Sequence, residues 1–173
     1  MKKTILSLAV TALILASCGG SDTQAPAADS ETSAPAAETT APEAATDANV
    51  AEVALNAGDD MKYDITEIKV KEGQTVKLTL HHTGTAAKAA MGHNFILLKQ
   101  GVKLADFDAA AITASATDYI PADKAGDIIA HTKLIGGGET DTIEFPAPAK
   151  GTYEFLCSFP GHSAMMKGSF IVE

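Results

Sequence analysis

An all-β Greek-key sandwich carrying one short helical flap is the fold class predicted for residues 50–173. Three observations carry it. Short apolar stretches with period-two alternation recur, as where Val76, Leu78 and Leu80 are set against Lys77 and Thr79. Turn residues interrupt them: Asn56 to Asp60, Glu72-Gly73, Gly136 to Gly138 and Phe159 to Gly161. One segment, Val102 to Ala116, departs from this pattern, being rich in alanine with Leu104, Phe107 and Ala111 on one helical face. No internal repeat is present.

Ahead of that domain the chain has two further parts. Residues 1–17 carry Lys2-Lys3, an apolar run from Ile5 to Leu15 and small residues before Cys18, the layout of a secretory signal. Leu15-Ala-Ser-Cys18 has the form of a bacterial lipobox, in which Cys18 is lipidated, becomes the new N-terminus and anchors the protein to a membrane. The apolar run is too short to remain as a membrane span. A soluble secreted protein with an incidental Cys18 is the alternative. Residues 18–49 are Ala, Thr, Pro, Ser and acids, a composition that cannot bury a core and predicts a disordered tether. Its prolines and self-repelling acids favour extension, to roughly 100 Å at full stretch and about 30 Å as a coil.

Within the domain, Val50 to Leu55 forms the first strand, and Ile65, Ile68 and Val70 mark a second, irregular one. The third runs through Val76, Leu78 and Leu80. Thr83 to Ala90 reads as a loop of small residues, leading to a central strand that starts near His93 and continues through Phe95 to Leu98. After the flap, Pro121 to Asp127 reads as loop. Thr142 to Phe145 opens a hairpin that returns through Pro146 and Gly151 to the strand of Tyr153, Phe155 and Cys157, whose partners Glu154 and Leu156 face the other way. The last strand resumes near Met166 and runs through Phe170 and Val172.

Charge narrows the function classes. The chain has 13 lysines and no arginine; without Lys2 and Lys3 it carries 11 lysines against 22 acids, a formal charge of −11. Nucleic-acid binding requires basic patches, so it is excluded. The acidity serves solubility. If Cys18 is acylated, Cys157 has no partner within the chain, and a lone thiol in an oxidising compartment points to a bound metal.

Cys157, His162 and Met166 follow the spacing Cys-x4-His-x3-Met around a Pro-Gly loop between two strands. A loop that short can hold thiolate, imidazole and thioether around one point. That donor set suits copper, and two histidines, a cysteine and a weak axial methionine make a blue copper site. The second histidine must come from elsewhere, and His93 in Met91-Gly-His-Asn-Phe95 is the best placed. Either Met165 or Met166 could reach the metal on chemistry alone.

These stretches, with Ile129-Ala-His-Thr-Lys-Leu-Ile-Gly136, occur in the order found in azurins, and the sequence resembles that bacterial blue copper family from about Val50 to Glu173. The resemblance implies the cupredoxin sandwich and one copper ion, held by His93, Cys157 and His162 with Met166 axial. It also implies a weak axial contact from the carbonyl of Gly92, with Asn94 and Phe159 bordering the ligands. Met61, Met91, Phe159, Pro160 and Met165 match an apolar patch around an exposed ligand histidine, flattened here because Ala86 replaces a larger residue. His82 matches a partly buried histidine near the site, His131 a surface one, and His81 faces solvent. Phe95 stands where a buried tryptophan is common. The family's disulfide is missing at Val53 and Gly73-Gln74, a loss of about 2–4 kcal/mol.

The implied role is one-electron transfer between Cu(II) and Cu(I) in the bacterial envelope. Redox proteins, a haem protein among them, would dock on the patch, with no small-molecule substrate and no catalysis. Copper storage or delivery is the alternative, but five methionines do not make a Met-rich tract. A non-metal recognition module leaves the Cys-His-Met grouping unexplained.

Overall fold

The computed structural model describes residues 48–173; the predicted signal segment, Cys18 and the tether up to residue 47 lie outside the described residues. The alternation that predicts strands also decides which side each one buries. The described strands are β1 (Val50–Ala57), β2 (Glu67–Val70), β3 (Thr75–His82), β4 (Ile96–Leu98), β5 (Ile128–His131), β6 (Thr140–Pro146), β7 (Gly151–Leu156) and β8 (Lys167–Val172). In β3, Val76, Leu78, Leu80 and His82 are buried while the residues between them reach solvent at least in part. One sheet has the order β1-β3-β6 and the other β2-β8-β7-β4-β5. The pairs β1·β3 and β2·β8 are parallel and the rest antiparallel, so the chain passes between sheets, as a Greek key requires.

Leu55, Val76, Leu78 and Leu80 from the first sheet meet Leu97, Phe155 and Phe170 from the second, all fully buried. The second sheet is covered on its outer face as well. Helix α2 (Leu104–Ala111), the predicted flap, lays Phe107 and Ala111 onto Ile96, Leu98 and Leu156. Burying a phenylalanine in this way contributes on the order of 2–3 kcal/mol. The expectation that Leu156 faces away from the core is therefore corrected. It leaves the inner core only to enter a second one beneath α2.

Three other expectations change. Thr142 to Phe145 does not form a hairpin with the Cys157 strand. β6 pairs with β3 in one sheet, whereas β7 pairs with β4 and β8 in the other. Pro146 and Pro148 lack the N–H groups that a hairpin ladder needs, and the Ala147 N–H turns instead to the Gln74 carbonyl at 2.8 Å. The Tyr153 hydroxyl then fastens the crossover by donating to the Ala149 carbonyl at 2.6 Å. The central strand starts at Ile96, so His93 precedes it rather than opening it. The two predicted loops contain helical turns: α1 (Lys88–Met91) and a 3₁₀ segment over Ala122–Asp127.

Candidate metal centre

The backbone of His93 is placed by main-chain pairing. It forms an isolated bridge with Ile135, each N–H donating to the other's carbonyl, at 2.9 and 2.8 Å. Cys157 follows the last residue of β7, and its N–H donates to the Met166 carbonyl at 2.9 Å. Between them the chain turns sharply at Gly161, whose φ of 82° suits a residue without Cβ, and then forms a 3₁₀ turn over His162–Ala164. The His162 N–H donates to Phe159, and the Met166 N–H donates back to His162 at 2.7 Å. One short loop thus fixes Cys157, His162 and Met166, while the bridge to Ile135 supplies His93.

His93, Cys157 and His162 are all buried and bring one ligand atom each within 4.8 Å of one another. Cys157 Sγ lies 3.7 Å from His162 Nδ1 and 3.9 Å from the Gly92 carbonyl oxygen. The Nε2 atom of His93 sits 2.9 Å from the Gly58 carbonyl, which has only lone pairs to offer, so Nε2 carries the proton. Nδ1 is then a free lone pair, buried and without a hydrogen-bond partner. A buried orphan of this kind costs stability unless something binds it. The soft thiolate and two imidazoles suit copper.

Electrostatics keep the two imidazoles ready to bind and leave the thiol protonated until a metal displaces its proton. Burial pushes the Cys157 thiol up to about 12, opposed by backbone N–H groups of Asn94 and Phe159 that favour the thiolate. Burial, then the neighbouring His93 and His82, pulls His162 down to about 4. Burial likewise lowers His93. Both imidazoles therefore stay neutral and keep a lone pair at neutral pH.

The surroundings hold these groups still. Asn94 accepts from the Ser158 N–H and donates to the Ser158 hydroxyl, both at 2.9 Å, tying the His93 segment to the Cys157 loop. His82 is wholly buried and stacks on His93 with ring centres 4.4 Å apart; Gly84 donates to its Nδ1, leaving Nε2 to donate to the Met91 carbonyl at 2.8 Å. Gly92 could not carry a side chain, because a Cβ would stand 2.6 Å from the Lys88 carbonyl oxygen. Phe95 is fully buried against Phe155.

The residues matched to the apolar patch divide by exposure. Met61 and Met165 are exposed, at 39% and 59%, whereas Met91 and Pro160 are half-buried. Phe159 is buried between the rings of His162 and Tyr119, which corrects its expected place on the surface. His162 is itself only 3% exposed, so an edge rather than a face of the ring reaches solvent. His81 and His131 are exposed and stand outside the ligand group.

Sequence reasoning passed over Gly58, Tyr63, Thr132 and Ser158. Their contributions are backbone carbonyls or hydroxyls, which carry no motif; only the Gly58-Asp59-Asp60 turn was visible. Asp59 pins that turn to the next loop by accepting from the N–H groups of Thr85 and Ala86.

Copper binding proteins of the plastocyanin/azurin family match this chain over residues 50–173. The chain belongs to that family. Azurin-2 of Alcaligenes xylosoxydans xylosoxydans is 44% identical over 124 residues, spanning 68% of this chain and 94% of the relative. Outer membrane protein H.8 of Neisseria gonorrhoeae is 40% identical over 121 residues, 66% of this chain and 63% of that protein. Among solved structures, dithionite-reduced auracyanin from Roseiflexus castenholzii superposes with a TM-score of 0.64 at 41% identity, covering 70% of this chain and 96% of its own. As a member of the plastocyanin/azurin family, the protein transfers electrons and its cofactor is copper.

Proposed function

We propose that the protein is a lipid-anchored carrier of single electrons in the bacterial envelope. His93, Cys157 and His162 would hold the copper ion, with the Met166 thioether and the Gly92 carbonyl as weaker contacts. The observation that carries this reading is the buried, unpartnered Nδ1 of His93 beside Cys157 and His162. A bound copper ion supplies the Cu(II)/Cu(I) couple.

The chain supplies rigidity. His93, His162 and Met166 stand on backbone hydrogen-bonded in both directions and the Cys157 N–H is bonded to Met166, so little reorganisation accompanies a change of charge. Cys157 gives up its proton on binding, and the N–H groups of Asn94 and Phe159 support the thiolate that remains. The apolar cover of Phe159 and buried Met166 keeps water away and disfavours the more highly charged state. Protein groups occupy every ligand position, leaving no open place for a substrate, so the role is transfer and not catalysis. The deep burial of all three donors also argues against storage or delivery, which requires ready exchange.

Electrons pass at the His162 edge, and Met165 and Met61 offer adaptable apolar contacts to a redox partner, a haem protein being the class expected. The Cys18 lipobox supports the anchor, as does the name of the neisserial relative, an outer membrane protein. Two measurements test the reading. Cells fed a labelled fatty acid should label the wild-type protein and not Cys18→Ala; equal labelling would remove the anchor. Replacing Met165 with lysine should slow electron exchange with a cytochrome c at least tenfold while leaving the visible spectrum intact. An unchanged rate would move the docking surface elsewhere.

A further inference from the structure

The Asn94–Phe95 peptide, one residue beyond His93, is gripped from both sides by hydroxyl groups. On one side the Tyr63 phenol donates to the Asn94 carbonyl at 2.5 Å. On the other the Phe95 N–H donates to Thr132 Oγ1 at 2.9 Å, and the Thr132 N–H returns to the Phe95 carbonyl at 3.0 Å. Tyr63 is 6% exposed and Thr132 not at all. A buried hydroxyl costs free energy unless it is bonded, and packing alone does not call for one here. The Tyr63 ring already lies against Phe155, a contact that phenylalanine would make equally well.

The gripped peptide begins at Asn94, which, like His93 just before it, has work at the metal centre. Asn94 directs its own N–H toward the Cys157 sulfur and its side chain to Ser158. His93, next before it, presents the free Nδ1. The segment precedes β4, so main-chain pairing holds it only through the Ile135 bridge and the Thr132–Phe95 bond. Displacing the Asn94 carbonyl would shift the Asn94 Cα, and with it the preceding peptide whose N–H points at the sulfur and the imidazole one residue further back.

We propose that Tyr63 and Thr132 act as a buried two-sided clamp on the Asn94–Phe95 peptide, as positioning residues that set the geometry of the copper site. This rests on reading His93 as a ligand, and the test separates the two ideas. Tyr63→Phe removes only the hydroxyl. Tyr153→Phe is its matched control, because it also loses a phenol-to-carbonyl bond, to Ala149 at 2.6 Å, near the far end of β7 from Cys157.

In copper-free protein, hydrogen exchange at the Asn94 and Phe95 amides should rise about tenfold in Tyr63→Phe relative to Tyr153→Phe, the effect of one lost buried bond. After loading with Cu(II), Tyr63→Phe should show a shifted reduction potential and altered visible band, while Tyr153→Phe matches wild type. Thr132→Val should act in the same direction, and the double variant should depart from additivity. Thr132→Val alone also carries the test should Tyr63→Phe not fold. Equal exchange in the two tyrosine variants, or faster exchange with potential and spectrum unmoved, would overturn the clamp. A wild-type protein that binds no copper would instead fault the ligand reading, since the exchange measurement needs no metal.

Discussion

Replacing Asn94 with alanine removes the side chain that joins the two halves of the metal centre. Its Oδ1 accepts from the Ser158 N–H at 2.9 Å, and its Nδ2 donates to Ser158 Oγ at 2.9 Å; both residues are fully buried. The substitution leaves a buried N–H without an acceptor, at about 1–3 kcal/mol, and loses the hydroxyl bond, worth about 0.5–1.5 kcal/mol. A loss of about 2–4 kcal/mol follows, which at about 4 °C per kcal/mol for a domain of this size lowers the Tm by about 8–16 °C. The assay is thermal unfolding of the copper-free protein by circular dichroism. Ser158→Ala alone should cost less, since its N–H keeps Asn94, and the double variant should reveal a coupling of about 1 kcal/mol. A fall of less than about 3 °C in Asn94→Ala would refute the reasoning, because the bridge would then not be holding the segments together.

Other perturbations read other parts of the account. Gly92→Ala would drive a Cβ against the Lys88 carbonyl, so it should cost about 1–3 kcal/mol and change the visible band of the loaded protein; wild-type stability and colour would refute the close approach. Phe107→Ala should cost about 3–5 kcal/mol while retaining copper, whereas a loss under about 1 kcal/mol would make α2 an accessory. For pH, His162 is held at about 4 against an ordinary value near 6.5, so the unfolded chain takes up its proton first as pH falls. Copper-free protein should therefore lose stability between about pH 6.5 and 4, with a shallower slope in His162→Gln. An identical slope in that variant would contradict the assignment.

How much of this could be read from residues varies with the kind of information each carries. Alternation marks Val76, Leu78 and Leu80 as inward-facing, and the Cys-x4-His-x3-Met loop has too little chain to scatter its donors. The second histidine was also legible, since His93 sits between glycine and asparagine just before an apolar run. Alternation says that a face is buried but not which sheet buries it, and so the β6–β7 crossover passed for a hairpin. Leu156 followed the same logic: its covering partner, Phe107, lies far away in sequence. Phe159 passed for a surface residue because nothing local shows that Tyr119 closes over it. Gly58, Tyr63 and Thr132 act through carbonyls and hydroxyls on backbone, contacts that only the folded chain displays.

The central claim is that Cys157, His93 and His162 hold copper as a type 1 site. It is tested most directly by the visible absorption of the protein after adding Cu(II), measured beside Cys157→Ser. The account predicts an intense thiolate-to-copper charge-transfer band that ascorbate bleaches and that the Cys157→Ser variant lacks. A colourless wild-type protein, or a band that survives loss of the thiol, would contradict it.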